Sequence, residues 1–142
     1  MDFDILSEEG ADARLRYACR LAERAVEQAC HVSMQTAASS ELLRLDDMLW
    51  TFSDRSFLPH EVFKGDPAAH ARVMVMLGTD AGPASHRQLL INLTEAMPPD
   101  VEAYERIAEI IDADPERKRS ARERYKHYRE RGCTLESHNL EK

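Results

Sequence analysis

The sequence predicts an α/β fold of three layers, with a mostly parallel central sheet covered by helices on both faces. Segments with the pattern of strands alternate with segments with the pattern of helices, which favours parallel strands joined by helical crossovers. Two strand candidates, at residues 72–77 and 88–93, are short continuous apolar runs, which are typical of strands covered on both faces. The length of 142 residues fits one ordinary domain, and we expect a single domain over residues 1–142.

The first part of the chain is predicted to hold two strands, each followed by a helix. The first helix is indicated by small and apolar residues that recur at helical spacing, beginning at Leu15 and Ala18. The second helix begins at Ser39 or Ser40, since serine is a good N-cap. The strands are expected at residues 3–6 and 30–36, and the helices at residues 11–29 and 39–54. Residues 56–63 are apolar but contain a proline, which predicts a loop or an edge segment.

The later part of the chain contains one ambiguous segment. Residues 104–111 fit a helix, because Ile107 and Ile111 could share a face, or a strand, and the pattern alone does not decide. The next helix is clear, with Asp114 as N-cap and Pro115 at the first helical position. It is expected to end at Gly132, and residues 133–135 are predicted to return as a last short strand.

The charge of the chain is unevenly distributed. The net charge is −7, but residues 117–131 hold eight Lys or Arg and two Glu, a local +6. The remaining 11 basic and 24 acidic residues leave −13. An acidic body with one basic segment is not typical of a general nucleic-acid-binding protein. It indicates one local site for an anionic ligand.

The sequence lacks the motifs of common catalytic and cofactor sites. None of the five glycines belongs to a GxGxxG or GxxxxGK[ST] phosphate loop, and there is no GxSxG elbow. The six histidines show no HxxxH or HExxH spacing, so neither a metal nor another cofactor is expected. Asp46 and Asp47 are adjacent on a helix and point about 100° apart. They are therefore a poor acid–base pair, and we expect them on the solvent face.

Cysteine usage and the N-terminus predict a cytoplasmic protein. Cys19, Cys30 and Cys133 are widely spaced and odd in number, which favours reduced thiols. The N-terminus has no basic segment followed by an apolar run, so no signal peptide is expected. No stretch approaches the roughly 18 apolar residues of a membrane span, and no membrane association is expected.

The C-terminal helix is the most informative segment of the sequence. On a helical wheel Ala121, Tyr125 and Tyr128 form a narrow apolar stripe. Cations flank it on both sides: Lys118, Arg122, Lys126 and Arg129 on one, and Arg117, Arg124 and Arg131 on the other. This pattern suits a ligand with carboxylates and an apolar anchor, because Arg binds carboxylates with two hydrogen bonds and Lys adds a point charge. The alternative is a solvated basic face near the helix C-terminus.

The only tryptophan marks a second feature. Trp50 lies at the end of a predicted helix and is followed by apolar residues in an irregular segment. Aromatic residues dominate the energetics of protein interfaces, so Trp50 could anchor a partner. The pattern fits a corner of the core equally well.

Two sequence blocks resemble signatures of the DNA polymerase III chi subunit family. The first is LDDMLW at residues 45–50, followed by SFLPH at residues 56–60. The second is ARERYKHYR at residues 121–129, followed by Gly132. The order and spacing of the blocks fit the family, and the similarity extends over about residues 11–140.

The resemblance implies a Rossmann-like three-layer sandwich without a bound nucleotide and with residues 106–111 as a strand. It also implies an accessory subunit with no activity of its own, in a holoenzyme that is a DNA-directed DNA polymerase. The implied partners are the psi subunit, which links it to the clamp loader, and the acidic C-terminal tail of single-stranded-DNA-binding protein. DNA contact would be indirect, and no small-molecule substrate is implied.

The resemblance also assigns residues to two binding surfaces. The tail would be bound chiefly by Arg122, with Ile111 lining an apolar pocket for the terminal phenyl ring. Other tail-binding residues would be Lys118, Tyr125 and Lys126. The psi contact would use Trp50, Phe57, Pro59 and His60. Arg117 and Arg119 are more basic than the family pattern, which leaves open a wider tail site.

Two other functions remain compatible with the sequence. One is a small nucleotide-binding protein or enzyme on the same fold, without a recognisable phosphate loop, because fold alone does not define function. The other is direct nucleic-acid binding through the basic helix. The acidic remainder of the chain argues against it, as does the scarcity of aromatic residues for base stacking.

Overall fold

Within its described residues, the computed structural model has three helices and seven strands. The described residues are 2–6, 11–37, 39–51, 60–62, 73–79, 86, 88–94, 104–111, 114–132 and 136–140. The strands are β1 (Asp2–Leu6), β2 (Val32–Gln35), β3 (His60–Val62), β4 (Val75–Gly78), β5 (Leu89–Asn92), β6 (Arg106–Ile111) and β7 (Glu136–Leu140). The helices are α1 (Ala11–Glu27), α2 (Ser39–Thr51) and α3 (Pro115–Glu130).

The described strands form one parallel sheet. Their order is β3-β4-β2-β5-β6-β1-β7, and each neighbouring pair is parallel. All residues of β2 and of β5 are buried, as expected for strands covered on both faces. The predicted parallel sheet is therefore confirmed.

Helices α1 and α2 cover one face of the sheet. Leu15, Ala18 and Ala22 of α1 are fully buried, which confirms the helical spacing seen in the sequence. They belong to one apolar cluster with Leu45 of α2 and with residues from the strands. The strand residues of this cluster include Val32, Met34, Val75, Leu77, Leu89, Ile91, Ala108 and Ile110.

Helix α3 covers the opposite face. Leu90 lies between two residues of the first cluster, yet it packs in a second cluster because successive strand side chains point to opposite faces. The members of this second cluster are Leu90, Tyr104, Ile107, Ile111, Ala121 and Tyr128. With apolar layers on both sides of the sheet, the predicted three-layer architecture is confirmed.

The structure decides the segments that the sequence left open. Residues 106–111 form β6, so the strand alternative is correct. In the segment at residues 56–63, the described part is β3, which lies at one edge of the sheet, as predicted. The last strand predicted at residues 133–135 lies outside the described residues, and the described strand after α3 is β7, which begins at Glu136. Its polar sequence, ESHNL, gave no apolar pattern from which to locate it.

The limits of α3 follow the signals in the sequence. Asp114 is the N-cap, and its Oδ1 accepts a hydrogen bond from the backbone N–H of Glu116 at 3.1 Å. Pro115 occupies the first helical position, where the missing N–H costs nothing. Gly132 follows the helix with φ of 84°, a left-handed conformation that glycine adopts without strain. The predicted start and stop of this helix are confirmed.

The described cysteines are free thiols in different surroundings. Cys19 is buried within the first apolar cluster, and burial raises the pKa of its thiol to about 12. Cys30 is half-buried, and Cys133 lies outside the described residues. In the described part of the chain, no helix combines the length and the apolar character needed to span a bilayer.

Candidate functional site

The face that α3 turns to the sheet includes a charged residue. Ala121, Arg124 and Tyr128 are its buried residues, and Tyr125 is half-buried beside them. The helical wheel placed Arg124 correctly beside the apolar stripe, but its interpretation as a cation available to a ligand is wrong, because Arg124 is only 6% exposed. Its guanidinium is directed into the protein, where it meets a carboxylate of β6.

That carboxylate is Glu109, which is fully buried between β6 and α3. Arg124 Nε donates a hydrogen bond to Glu109 Oε2 at 3.1 Å. Glu109 Oε1 accepts hydrogen bonds from Asn92 Nδ2 at 2.5 Å and from Tyr128 Oη at 3.1 Å. Arg124 Nη1 donates to Ser120 Oγ at 2.6 Å. We refer to Glu109, Arg124, Tyr128, Asn92 and Ser120 as the Glu109 network.

The network explains why Arg124 is not offered to a ligand. Removing one partner of a buried ion pair leaves an uncompensated charge and costs roughly 3–5 kcal/mol. A ligand that drew Arg124 away from Glu109 would incur this penalty. The cations that remain for a ligand must therefore be sought among the exposed residues of α3.

Burial dominates the titration of Glu109. It raises the pKa of this carboxyl, while Arg124 and the hydrogen bonds from Asn92, Tyr128 and Arg124 act in the opposite direction. The folded protein therefore holds the proton of Glu109 more tightly than the unfolded chain does.

This pKa shift predicts how stability changes with pH. Relative to Glu109→Gln, the wild-type free energy of unfolding should be greatest below the usual glutamate pKa. It should decline as the pH rises through the higher folded-state pKa. Urea denaturation of both proteins between about pH 4 and pH 8, around the ordinary glutamate pKa, measures this difference. A difference that grows as the pH rises would contradict the assigned direction.

The cations of α3 differ in whether they are paired. Arg117 Nη1 lies 3.6 Å from Asp114 Oδ2, and Arg119 Nη1 lies 3.8 Å from Glu116 Oε1. The side chains of four other cations, all on the flank that includes Arg122, form neither an ion pair nor a hydrogen bond with any residue that the structure describes. We call these four the unpaired row: Lys118, Arg122, Lys126 and Arg129.

The unpaired row includes three of the five residues predicted for tail binding. Arg122 and Lys126 are exposed, and Lys118 is partly exposed. Tyr125 is half-buried and packs against the cluster beneath α3. Ile111, the fifth, is 3% exposed and belongs to the same cluster as Ala121, so β6 brings it to the underside of α3. Their roles in binding stay predictions.

The second predicted surface is partly described. Trp50 is 52% exposed at the C-terminal end of α2, and its ring centroid lies 4.5 Å from that of His60 at an interplanar angle of 53°. His60 is itself buried, and its Nε2 lies 3.0 Å from Asp46 Oδ1. Phe57 and Pro59 lie outside the described residues.

This geometry refines two expectations from the sequence. Asp46 was expected on the solvent face, yet its carboxylate meets the buried ring of His60. His60 was expected to contact a partner. In the structure its ring packs against that of Trp50, and its contact with a partner stays a prediction. Leu43 of α2 is 66% exposed and precedes Trp50 by seven residues, so it lies on the same face of the helix.

The comparisons with known proteins agree with the two sequence blocks. A family model described as DNA polymerase III chi subunit, HolC, matches residues 1–136. The chain belongs to the DNA polymerase III chi subunit family. A protein of Pseudomonas aeruginosa named DNA polymerase III subunit chi is 37% identical over 140 residues, covering 99% of this chain and 96% of its own.

More distant relatives carry the same name. The DNA polymerase III subunit chi of Haemophilus influenzae is 27% identical over 138 residues, covering 97% of this chain and 95% of its own. That of Escherichia coli is 27% identical over 127 residues, covering 89% of this chain and 86% of its own. The resemblance seen in the sequence is thus confirmed, and with it the assignment to DNA replication.

Sequence reasoning missed Glu109 and its partners. Glu109 lay in the segment whose element type was ambiguous, and Asn92 stood in an apolar run with no apparent role. The signal that could have identified them is a carboxylate inside an otherwise apolar strand, followed by Arg124 and Tyr128 on one face of a helix. Among the described side chains, no three His, Cys, Asp or Glu groups are placed to hold a metal ion.

Proposed function

We propose that this chi-family subunit is a non-catalytic adaptor of the replicative polymerase. It binds the psi subunit through the surface around Trp50, and through psi it joins the clamp-loader assembly. It binds the acidic C-terminal tail of single-stranded-DNA-binding protein along α3. The protein thereby connects the polymerase with the single-stranded DNA that single-stranded-DNA-binding protein covers.

The unpaired row is the observation that carries the tail-binding proposal. Four cations follow one side of α3 without an acidic partner among the residues that the structure describes, although the neighbouring Arg117 and Arg119 are paired. Like charges placed three or four residues apart on a helix repel, so the row costs stability unless an anion binds it. An extended acidic segment satisfies several of these cations at once.

The apolar half of the tail site lies beside the row. Tyr125 is half-buried between the row and the second apolar cluster, and Ile111 belongs to that cluster. A peptide that ends in phenylalanine presents a ring and a terminal carboxylate on one residue. The ring suits the side of Tyr125 and Ile111, and the carboxylate suits Arg122, since Arg binds carboxylates with two hydrogen bonds.

The psi-binding proposal rests on the exposure of Trp50. A tryptophan that is 52% exposed and packs against a buried histidine presents an aromatic surface to solvent. Tryptophan is enriched among the residues that dominate binding energy, and Leu43 extends the apolar surface along α2.

Titration with a synthetic peptide tests the tail site. The peptide is short, rich in aspartate and ends in phenylalanine with a free carboxylate. We expect saturable binding that weakens as salt rises from about 0.05 M to 0.3 M, because screening reduces the attraction between exposed charges. Binding that does not respond to salt, or none at low salt, would contradict the proposed site.

A further inference from the structure

The Glu109 network connects the two elements that form the proposed tail site. Ile111 and Glu109 lie on the same face of β6, because they are separated by one residue of a strand. Arg122 lies on α3, directly after the buried Ala121. A ligand that places a ring near Ile111 and carboxylates near Arg122 therefore spans the boundary between β6 and α3.

The network restrains α3 in both rotation and translation. Tyr128 and Arg124 lie about one turn apart on α3, and both donate to the carboxylate of Glu109. Ser120 lies one turn before Arg124 and accepts from it. Because the carboxylate is fully buried, rotating or sliding the helix would break hydrogen bonds that water cannot replace.

We propose that the Glu109 network sets the position of the unpaired row relative to the Ile111 end of β6. Glu109 and Arg124 are then positioning residues for the acidic tail, although neither is exposed to it. This inference rests on the proposed tail site on α3. It assigns a binding role to a buried ion pair that the tail does not touch.

Positioning and electrostatics predict opposite effects for one substitution. Glu109→Gln removes a negative charge from beneath a helix that binds an anion, so electrostatics alone would strengthen tail binding. The amide of the new residue has one acceptor oxygen where the carboxylate has two, and its NH₂ cannot accept from Arg124. If the network positions the row, the same substitution weakens binding.

The experiment compares three variants with two peptides. Glu109→Gln breaks the ion pair, and Tyr128→Phe removes only the hydroxyl that donates to Glu109. Glu123→Gln is the matched control, since it makes the same change of charge at an exposed position of α3. The peptides are the acidic peptide ending in phenylalanine and the same peptide ending in alanine. Thermal unfolding of each variant verifies that it is folded at the temperature of titration.

The terminal ring provides the readout that a purely structural role would not change. For Glu109→Gln we expect affinity for the phenylalanine peptide to fall about tenfold, and for Tyr128→Phe about threefold. In both variants the advantage of phenylalanine over alanine should shrink, because ring and carboxylates no longer fit at once. Glu123→Gln should bind as tightly as the wild type or slightly more tightly.

Two results would overturn the inference. One is tighter binding by Glu109→Gln, which would show that its charge alone matters. The other is an unchanged advantage of phenylalanine over alanine in folded Glu109→Gln and Tyr128→Phe. If the wild type binds neither peptide, the proposed tail site itself fails. If the wild type binds the phenylalanine peptide and Arg122→Ala does not, the proposed tail site is supported. The results for Glu109→Gln and Tyr128→Phe then test the positioning inference alone.

Discussion

Replacing Arg122 with alanine is expected to reduce affinity for the acidic tail by about ten- to a hundredfold, since hydrogen bonds between charged partners contribute roughly 1.5–3 kcal/mol. Arg122 is exposed, and its side chain has no partner among the described residues. The substitution should therefore leave the free energy of unfolding almost unchanged. Fluorescence anisotropy with a labelled acidic peptide ending in phenylalanine measures the affinity.

Arg119→Ala is the matched control for this prediction. It removes the same charge from the same helix, but Arg119 is already paired with Glu116. We expect its effect on affinity to be about threefold or less, in the range of exposed ion pairs. A loss equal to that of Arg122→Ala would show that overall helix charge, and not the unpaired row, determines binding.

Replacing Trp50 with alanine is expected to weaken the complex with the psi subunit by about thirtyfold or more, the range of an aromatic residue that dominates an interface. The indole ring is half exposed and makes a tilted contact with the ring of His60, so its removal takes away the apolar surface and leaves the buried histidine. Isothermal titration calorimetry with purified psi measures the dissociation constant. Tail binding on α3 should be unaffected.

Leu43→Ala tests where this surface is centred. Leu43 is even more exposed than Trp50 and lies on the same face of α2, but the ring contact with His60 belongs to Trp50. We expect a loss of affinity of about fivefold or less, since residues at the edge of an interface contribute little. A larger loss from Leu43→Ala than from Trp50→Ala would contradict an interface centred on Trp50.

The parts of the fold that the sequence predicts are those specified by local patterns. Leu90 belongs to a continuous apolar run, and such a run indicates a strand buried on both faces. Asp114 and Pro115 define the start of α3 through cap chemistry that involves neighbouring residues only. The position of β7 was not predictable in this way, because a polar edge strand has no apolar period.

The parts that sequence reasoning missed depend on contacts between distant elements. Asn92 and Glu109 are partners in the register of β5 and β6, and a single sequence does not specify that register. A helical wheel places Arg124 correctly next to the apolar stripe of α3. The wheel contains no information on Glu109, the carboxylate of β6 that lies beneath the stripe. Without it, a buried arginine cannot be distinguished from an exposed one.

The surface around Trp50 also depends on contacts between elements that are distant in the sequence. The sequence was compatible with two interpretations of Trp50, as an anchor for a partner or as a corner of the core. The structure shows an exposed tryptophan resting on a buried histidine. The contact between His60 and Asp46 joins β3 to α2, and no spacing in the sequence indicated it.

A capture experiment tests the bridging role most directly. Psi is immobilised and exposed to single-stranded-DNA-binding protein, with and without this chain. The proposal predicts capture only when the wild-type chain is present. Trp50→Ala should fail to remain on psi, whereas Arg122→Ala should remain on psi and fail to capture the second partner. Capture by psi alone, or displacement of the chain from psi by the acidic tail, would contradict an adaptor with two separate surfaces.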